Sequence, residues 1–147
     1  MAIPLFNSIA SWFLKKRIHQ IELFTKYPHE VQQEVLQDLL GVSEQTQVGL
    51  KYEYGSINNY EIFKRRVPIV TYEDIAPQIN RCRKGERNIF WPTPIKWFAK
   101  SSGTTDNKSK YIPVSFEALE QCHYKAGKDM LSLYFINNPE SELFTGK

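Results

Sequence analysis

The amino-acid sequence predicts a helix-rich domain that carries one strand–loop–strand unit near its C-terminal end. Apolar residues recur at helical spacing through most of residues 1–94. The stretch NIFWPTPIKWFA, residues 88–99, combines two prolines with aromatic residues in alternating order, which is typical of extended chain entering a strand. Ten residues without an apolar side chain follow, from Ser101 to Lys110, and then a second short apolar segment, YIPV. The predicted organisation is a single unit over residues 1–147, mainly helical over 1–94, strand–loop–strand over 95–114 and one long helix over 115–136.

The composition is that of an ordinary globular protein, with 41% hydrophobic and 24% charged residues. The net charge of +3, from 19 basic and 16 acidic residues, is too small and too dispersed to predict nucleic-acid binding. Cys82 and Cys122 have no CxxC partner, so we expect reduced thiols in a cytoplasmic protein. The three histidines are isolated from one another, and no metal site is predicted.

Three helices are predicted in the first third of the chain. Residues 5–26 place apolar side chains at helical spacing and leave a basic run exposed. Pro28 opens a second helix in its first turn, and Gly41 is its expected end. Ser43 is the predicted N-cap of a third helix that runs toward Gly55.

Two further helices are predicted before the extended segment. A short one covers residues 59–66. In the next, Thr71 is the expected N-cap and Asp74, three residues later, completes a variant of the capping box. Pro77 lies beyond the first turn, so this helix either kinks there or starts later, and Gly85 ends it. The charges in this stretch are explained by a solvated helix face, and none is assigned chemistry.

The final helix is predicted to begin after Ser115, which acts as its N-cap, and to reach about Ile136. Its apolar residues fall on one stripe, which predicts a face packed in the core. The members of this stripe are Phe116, Leu119, Ala126, Met130, Leu133 and Tyr134.

The polar segment between the two strands has the composition of a phosphate site. A triphosphate needs backbone N–H groups, hydroxyl donors and at least one cation. Gly103 allows close approach of the backbone, and Lys108 and Lys110 provide charge. The spacing does not fit the Walker loop, since Lys108 stands where its second glycine is required. An ordinary hydrophilic hairpin remains the alternative from composition alone. The hydroxyls are those of Ser101, Ser102, Thr104 and Thr105.

The stretch WFAKSSGTT, followed five residues later by Lys110 and then YIP, resembles the phosphate loop of adenylate-forming enzymes. It resembles most closely the auxin-responsive acyl-acid amido synthetase family, within the acyl-CoA synthetase and luciferase-like superfamily. RVPIVTYEDIAPQI and NPESELFTGK agree with the same family. The sequence departs from it at Asn107, where the family commonly has glycine, and asparagine tolerates the same backbone conformation.

The resemblance implies an α/β fold, with this chain supplying the helix-rich N-terminal part of a larger adenylate-forming domain. It implies that MgATP and a carboxylic acid give an acyl-adenylate, which an amine such as an amino acid converts to an amide. Lys110 would stabilise the departing pyrophosphate, and Lys108, in the variable stretch, is expected to be solvated. Ser101, Ser102, Gly103, Thr104 and Thr105 would hold the ATP phosphates. Because the adenine- and ribose-binding segments of the family lie further along, we expect the remainder of a longer chain to complete the enzyme and the 147 residues alone to be inactive.

Three side chains of the last helix are candidates for the acyl pocket: Phe116, Leu119 and His123. The favoured interpretation is nevertheless that Phe116 and Leu119 belong to the core and that His123 is an ordinary histidine. Two other functions stay open. One is a truncated, non-catalytic interaction or regulatory module of the same family. The other, least favoured, is a peripheral membrane protein that uses residues 3–17, a stretch too short to span a bilayer.

Overall fold

The computed structural model describes Trp12, residues 17–101 and residues 109–138. Within this part the chain is mostly helical and has one small two-stranded antiparallel sheet. The contacts divide it into two compact units: one is Gln32–Leu119, and the other joins the described residues up to Val31 with those from Glu120 onward. The described elements are α1 (residues 17–26), α2 (Pro28–Ser43), α3 (Gln47–Lys51), a 3₁₀ turn (Tyr54–Ser56), α4 (Tyr60–Arg66), α5 (Tyr72–Arg83), β1 (Trp97–Ser101), β2 (Lys110–Val114), α6 (Phe116–Ala118), a π-helical segment (Leu119–Tyr124) and α7 (Lys125–Asn137).

Helix α2 begins at Pro28 as predicted, but its predicted end at Gly41 is wrong. The helix continues to Ser43, whose hydroxyl donates back to the carbonyl of Leu39 and so serves the end of α2. The N-cap of α3 is therefore not Ser43 but Thr46, whose hydroxyl oxygen accepts a hydrogen bond of 3.0 Å from the N–H of Gly49. Helix α3 is also shorter than predicted, because it ends at Lys51.

The first turn of α3 holds the segment that leads to β1. The N–H of Gln47 donates to the carbonyl of Asn88 at 2.9 Å, and the N–H of Val48 donates to that of Ile89 at 3.1 Å. These N–H groups have no partner inside their own helix, so the carbonyls of the distant segment satisfy them. Around this junction lies the small core of the unit, formed by Leu40, Ile57, Ile79, Cys82 and Ile89.

Both predicted ends of α5 are confirmed. The Asp74 carboxylate accepts from the N–H of Thr71 at 2.8 Å and from its hydroxyl at 2.7 Å, which closes the capping box. The helix starts at Tyr72 and runs through Pro77 without ending there. At its C-terminus Gly85 has a φ of +90°, and the N–H of Glu86 reaches back to the carbonyl of Arg81 at 3.1 Å. This is a Schellman motif, which needs glycine at the left-handed position.

Strands β1 and β2 form the predicted strand–loop–strand unit. They pair antiparallel, with Trp97 opposite Val114 at one end and Ser101 opposite Lys110 at the other. Pro113 lies in β2 opposite Phe98, at a position where the two-stranded sheet does not require its missing donor. Helix α5 packs against β2.

The last helix starts as predicted but differs in packing. The Ser115 hydroxyl oxygen accepts from the N–H of Ala118 at 3.0 Å, which confirms it as N-cap. A π-helical segment then interrupts the α-helix. The prediction that the apolar stripe is core is wrong. Five of its six members are exposed, Met130 most of all at 66%, and Leu119 is half-buried; the exposed five are Phe116, Ala126, Met130, Leu133 and Tyr134. The buried residue of α7 is Ser132, and its hydroxyl is satisfied there by donating to the carbonyl of Lys128 in the same helix.

An ion pair between Arg17 and Asp129 joins α1 to α7 inside the unit formed by the chain ends. The guanidinium donates to both carboxylate oxygens, with 2.9 Å between Nη2 and Oδ2. The side chains are only 13% and 23% exposed. We expect Asp129→Asn to lower the free energy of unfolding by about 1–2 kcal/mol at pH 7, since the guanidinium then lacks its counter-charge. Chemical denaturation measures this change, and Glu22→Gln, in the exposed pair with His19, should leave stability unchanged.

The contribution of this pair should depend on pH. Hydrogen bonds from Arg17 hold the pKa of Asp129 below its ordinary value. A carboxyl with a lowered folded pKa stabilises the protein at pH values above its unfolded pKa and loses that contribution as the pH falls through the folded pKa. The stability difference between the wild type and Asp129→Asn should therefore shrink in acid. A difference that stays constant down to pH 2 would contradict this assignment.

Candidate functional site

The end of the β1–β2 pair next to the connecting segment brings together two of the residues predicted to bind phosphate. Ser101 is the last residue of β1, Lys110 is the first of β2, and the two are direct partners in the register. Their side chains therefore lie on the same face of the sheet. Ser102, Gly103, Thr104 and Thr105 lie outside the described residues, as does Lys108.

The Lys110 side chain contacts two residues in the first turn of α5. Its Nζ lies 3.2 Å from Oε1 of Glu73 and 5.2 Å from the centre of the Tyr72 ring. The side chain of Lys110 is 41% exposed and that of Glu73 is 63% exposed, so water reaches both partners. Lys110 is thus an accessible cation with a defined direction, as a site for an anion requires.

The carboxylate beside Lys110 is kept ionised. The pKa of Glu73 is lowered, first by a hydrogen bond from its own backbone N–H and then by one from Lys110. At neutral pH the ammonium therefore faces a full negative charge. Because water reaches both partners, separating this pair costs little free energy, and another anion could replace the carboxylate.

Helix α5 also fixes the backbone that carries Lys110. The Tyr72 hydroxyl oxygen accepts a hydrogen bond of 2.9 Å from the N–H of Tyr111. At the other end of the helix, the Arg83 guanidinium carbon lies 3.7 Å above the centre of the Tyr111 ring. Sequence reasoning missed these contacts, because on helical spacing alone Glu73 and Arg83 are ordinary solvated charges and nothing local pairs them with a strand.

A second anchor holds the extended segment before β1. The Glu117 carboxylate in α6 accepts from the indole N–H of Trp91 at 3.0 Å and from the hydroxyl of Thr93 at 3.2 Å. Although burial opposes ionisation of Glu117, hydrogen bonds to its carboxylate leave its pKa below the ordinary value. The strand that ends at Ser101 is therefore fixed from both α3 and α6.

The three candidates for an acyl pocket are not gathered by any described contact. Phe116 opens α6 and is 56% exposed, and Leu119 is half-buried one turn later. His123 is exposed in the π-helical segment and belongs to the other compact unit. Their role in binding an acid stays a prediction.

The part of the chain that the structure describes offers neither a metal centre nor a membrane-spanning helix. They contain no group of three histidine, cysteine, aspartate or glutamate side chains placed to hold a metal ion. Near Lys110 the carboxylate is that of Glu73, which is occupied by the ammonium. A magnesium ion at this place would therefore need phosphate oxygens as its main ligands. None of the described helices is long and apolar enough to cross a membrane.

Known proteins similar to this chain agree on one family. The GH3 family N-terminal domain matches residues 17–147. Indole-3-acetic acid-amido synthetase GH3.5 of Arabidopsis thaliana is 32% identical over 73% of this chain and 18% of its own length. Jasmonoyl--L-amino acid synthetase JAR4 of Nicotiana attenuata is 35% identical over 70% of this chain and 18% of its own. The solved structure of GH3.15 acyl acid amido synthetase superposes with a TM-score of 0.67 and 32% identity, over 81% of this chain and 21% of that one. The chain thus spans about a fifth of the length of these relatives.

Proposed function

Since this chain belongs to the GH3 family, we propose that it supplies the phosphate-binding N-terminal part of an ATP-dependent acyl-acid amido synthetase. The enzyme would activate a carboxylic acid as its acyl-adenylate and transfer the acyl group to an amine such as an amino acid, in the cytoplasm. The observation that carries the proposal is the direct pairing of Ser101 with Lys110 at the two ends of the segment that connects β1 and β2. These two residues bracket the segment that resembles the phosphate loop of the family.

The proposed chemistry assigns Lys110 to the first half-reaction. A substrate carboxylate attacks the α-phosphorus of ATP, the bond to the β-phosphate oxygen breaks, and pyrophosphate leaves with the electron pair. The Lys110 ammonium would donate hydrogen bonds to the phosphate oxygens on which this charge grows. The hydroxyls and N–H groups of residues 101–105 would hold the β- and γ-phosphates. Magnesium bound to the phosphates would supply further charge neutralisation.

In the second half-reaction an amine attacks the acyl carbon, and AMP leaves as the amide forms. The relatives named above act on indole-3-acetic acid or form jasmonoyl conjugates, according to their names. For this chain we propose only the class, a carboxylic acid with an amino acid as acceptor. Phe116 opens α6 and Leu119 opens the π-helical segment; these two are the proposed contacts for the acid, with His123 as a further candidate.

The alternative is a non-catalytic interaction module of the same family. It is favoured by an apolar row on α2, where Val35, Leu39 and Val42 are each 51% exposed at helical spacing. A row of this kind also suits contact with the remainder of a longer chain. The two functions differ in their response to MgATP, because a ligand that binds the folded state raises the unfolding temperature.

The proposal is tested on the native gene product, isolated from its source cells. We expect an intact mass several times larger than the 17.2 kDa of the 147 residues, and ATP–pyrophosphate exchange that depends on a carboxylic acid. The 147-residue chain alone should show no exchange, because adenine would lack its pocket. Exchange by the isolated chain would contradict the proposal that the rest of a longer chain is needed to bind adenine. A native product of 17.2 kDa whose unfolding temperature does not change with MgATP would contradict the proposed enzyme and favour the non-catalytic interaction module.

A further inference from the structure

The contact between Lys110 and the first turn of α5 suggests how the proposed leaving-group cation is kept ready before ATP arrives. We infer that Glu73 is the resting partner of Lys110: it orients the ammonium before a polyphosphate binds and yields the ammonium to the polyphosphate when one does. This inference rests on the proposed function. It makes Glu73 a positioning residue, since it would act through Lys110 and not on the substrate.

The geometry gives Lys110 one preferred direction. Its Nζ is 3.2 Å from the Glu73 carboxylate and lies over the Tyr72 ring, while the strand beneath is tied to the Tyr72 hydroxyl through the N–H of Tyr111. A free lysine side chain samples many rotamers, and restricting them costs conformational entropy. Here that cost is met before any ligand binds, because neighbouring residues 72 and 73 restrain both the strand and the ammonium.

Solvent exposure makes the hold reversible. Because 63% of the Glu73 side chain is exposed, water solvates the carboxylate as soon as Lys110 leaves it. A buried partner would be left with an uncompensated charge and would oppose the exchange. A polyphosphate carries several negative charges against the single charge of Glu73, so it wins the competition for the ammonium. The released carboxylate then stands close to the phosphates and repels them.

Removing the Glu73 charge should therefore tighten anion binding. We expect Glu73→Gln to lower the dissociation constant of the 147-residue chain for inorganic tripolyphosphate by about two- to fivefold, as measured by isothermal titration calorimetry. The gain should fade at high salt. In the native gene product the same variant should lower the KM for ATP without raising kcat, since orientation of Lys110 is lost. A purely structural role of Glu73 would not produce this split.

The chain offers a matched control in α4. Glu61 follows Tyr60 and the N-cap Asn59, just as Glu73 follows Tyr72 and the N-cap Thr71, and both glutamates are exposed in the first turn of their helices. Glu61→Gln removes the same charge at the same helix position and should leave the tripolyphosphate dissociation constant unchanged. An equal gain in both variants would overturn the inference, because net charge alone would then explain it.

The resting pair can be tested without any ligand. We expect Lys110→Gln to raise the carboxyl pKa of Glu73, followed by carbon NMR, since the ammonium lowers this pKa both through its hydrogen bond and through its charge. An unchanged pKa would mean that the pair does not form in solution, and the inference would fail while tripolyphosphate binding could still support the proposed function. If the wild-type chain binds no tripolyphosphate, both the inference about Glu73 and the proposed function are overturned, since Lys110 would then bind no phosphate in place of Glu73.

Discussion

Lys110→Ala in the native gene product is expected to lower the rate of ATP–pyrophosphate exchange by about 10²- to 10³-fold, the usual cost of losing one donor to a developing charge. The loss should fall mainly on kcat, because the ammonium is needed most when pyrophosphate departs. Thermal unfolding should be nearly unchanged, since the Lys110 side chain is 41% exposed. Exchange of labelled pyrophosphate into ATP, measured at saturating acid, gives the rate.

Lys100→Ala is the matched control for this variant. Lys100 lies in β1 beside Ser101 and pairs with Tyr111, so its side chain points to the opposite face of the same two strands. It removes the same charge and should leave exchange within about twofold of the wild type. Equal losses in the two variants would show that the hairpin contributes only a diffuse positive field. Full activity of Lys110→Ala would remove Lys110 from the reaction.

The features that could be predicted from the sequence are those whose physics is local. The capping box of Thr71 and Asp74, the left-handed Gly85 and the N-cap Ser115 each involve residues within a few positions of one another. The strand–loop–strand unit followed from the alternation of apolar and polar segments, and the antiparallel pair confirms it. Ser101 and Lys110 lie opposite each other because antiparallel pairing of β1 with β2 brings the end of one strand beside the start of the next.

The features that could not be predicted depend on partners far along the chain. Thr46 replaces Ser43 as the cap of α3, because the first turn of α3 is placed by the carbonyls of Asn88 and Ile89. The sequence predicts Glu73 to be a solvated charge on a helix face, whereas the structure pairs it with Lys110. No periodicity in either segment encodes such a pair. The apolar stripe of the last helix fits the usual rule that such stripes are buried, yet most of its members are exposed, because burial depends on what packs against a helix and not on its spacing alone.

Gly49→Ala should be strongly destabilising, since an added Cβ meets closer atoms at Gly49 than at any other described glycine. A Cβ at position 49 would lie 2.0 Å from the carbonyl oxygen of Ser43 and 2.7 Å from that of Glu44. Both atoms belong to the backbone, so rotating a side chain cannot relieve the clash. The backbone of α3 must therefore shift. We expect the free energy of unfolding to fall by about 3 kcal/mol, measured by urea denaturation.

Gly41→Ala is the control, because a Cβ at position 41 meets no atom within 4 Å. Gly41 lies inside α2, so this variant should raise the free energy of unfolding by about 0.5–1 kcal/mol. In Gly49→Ala the amide hydrogens of Gln47 and Val48 should also exchange faster, since their carbonyl partners at Asn88 and Ile89 move away. Because those carbonyls precede the strand that ends at Ser101, a shift of α3 should displace Ser101 in the proposed phosphate site. Tripolyphosphate binding should then weaken. Unchanged protection of Gln47 and Val48 in a destabilised variant would mean that α3 does not position this strand.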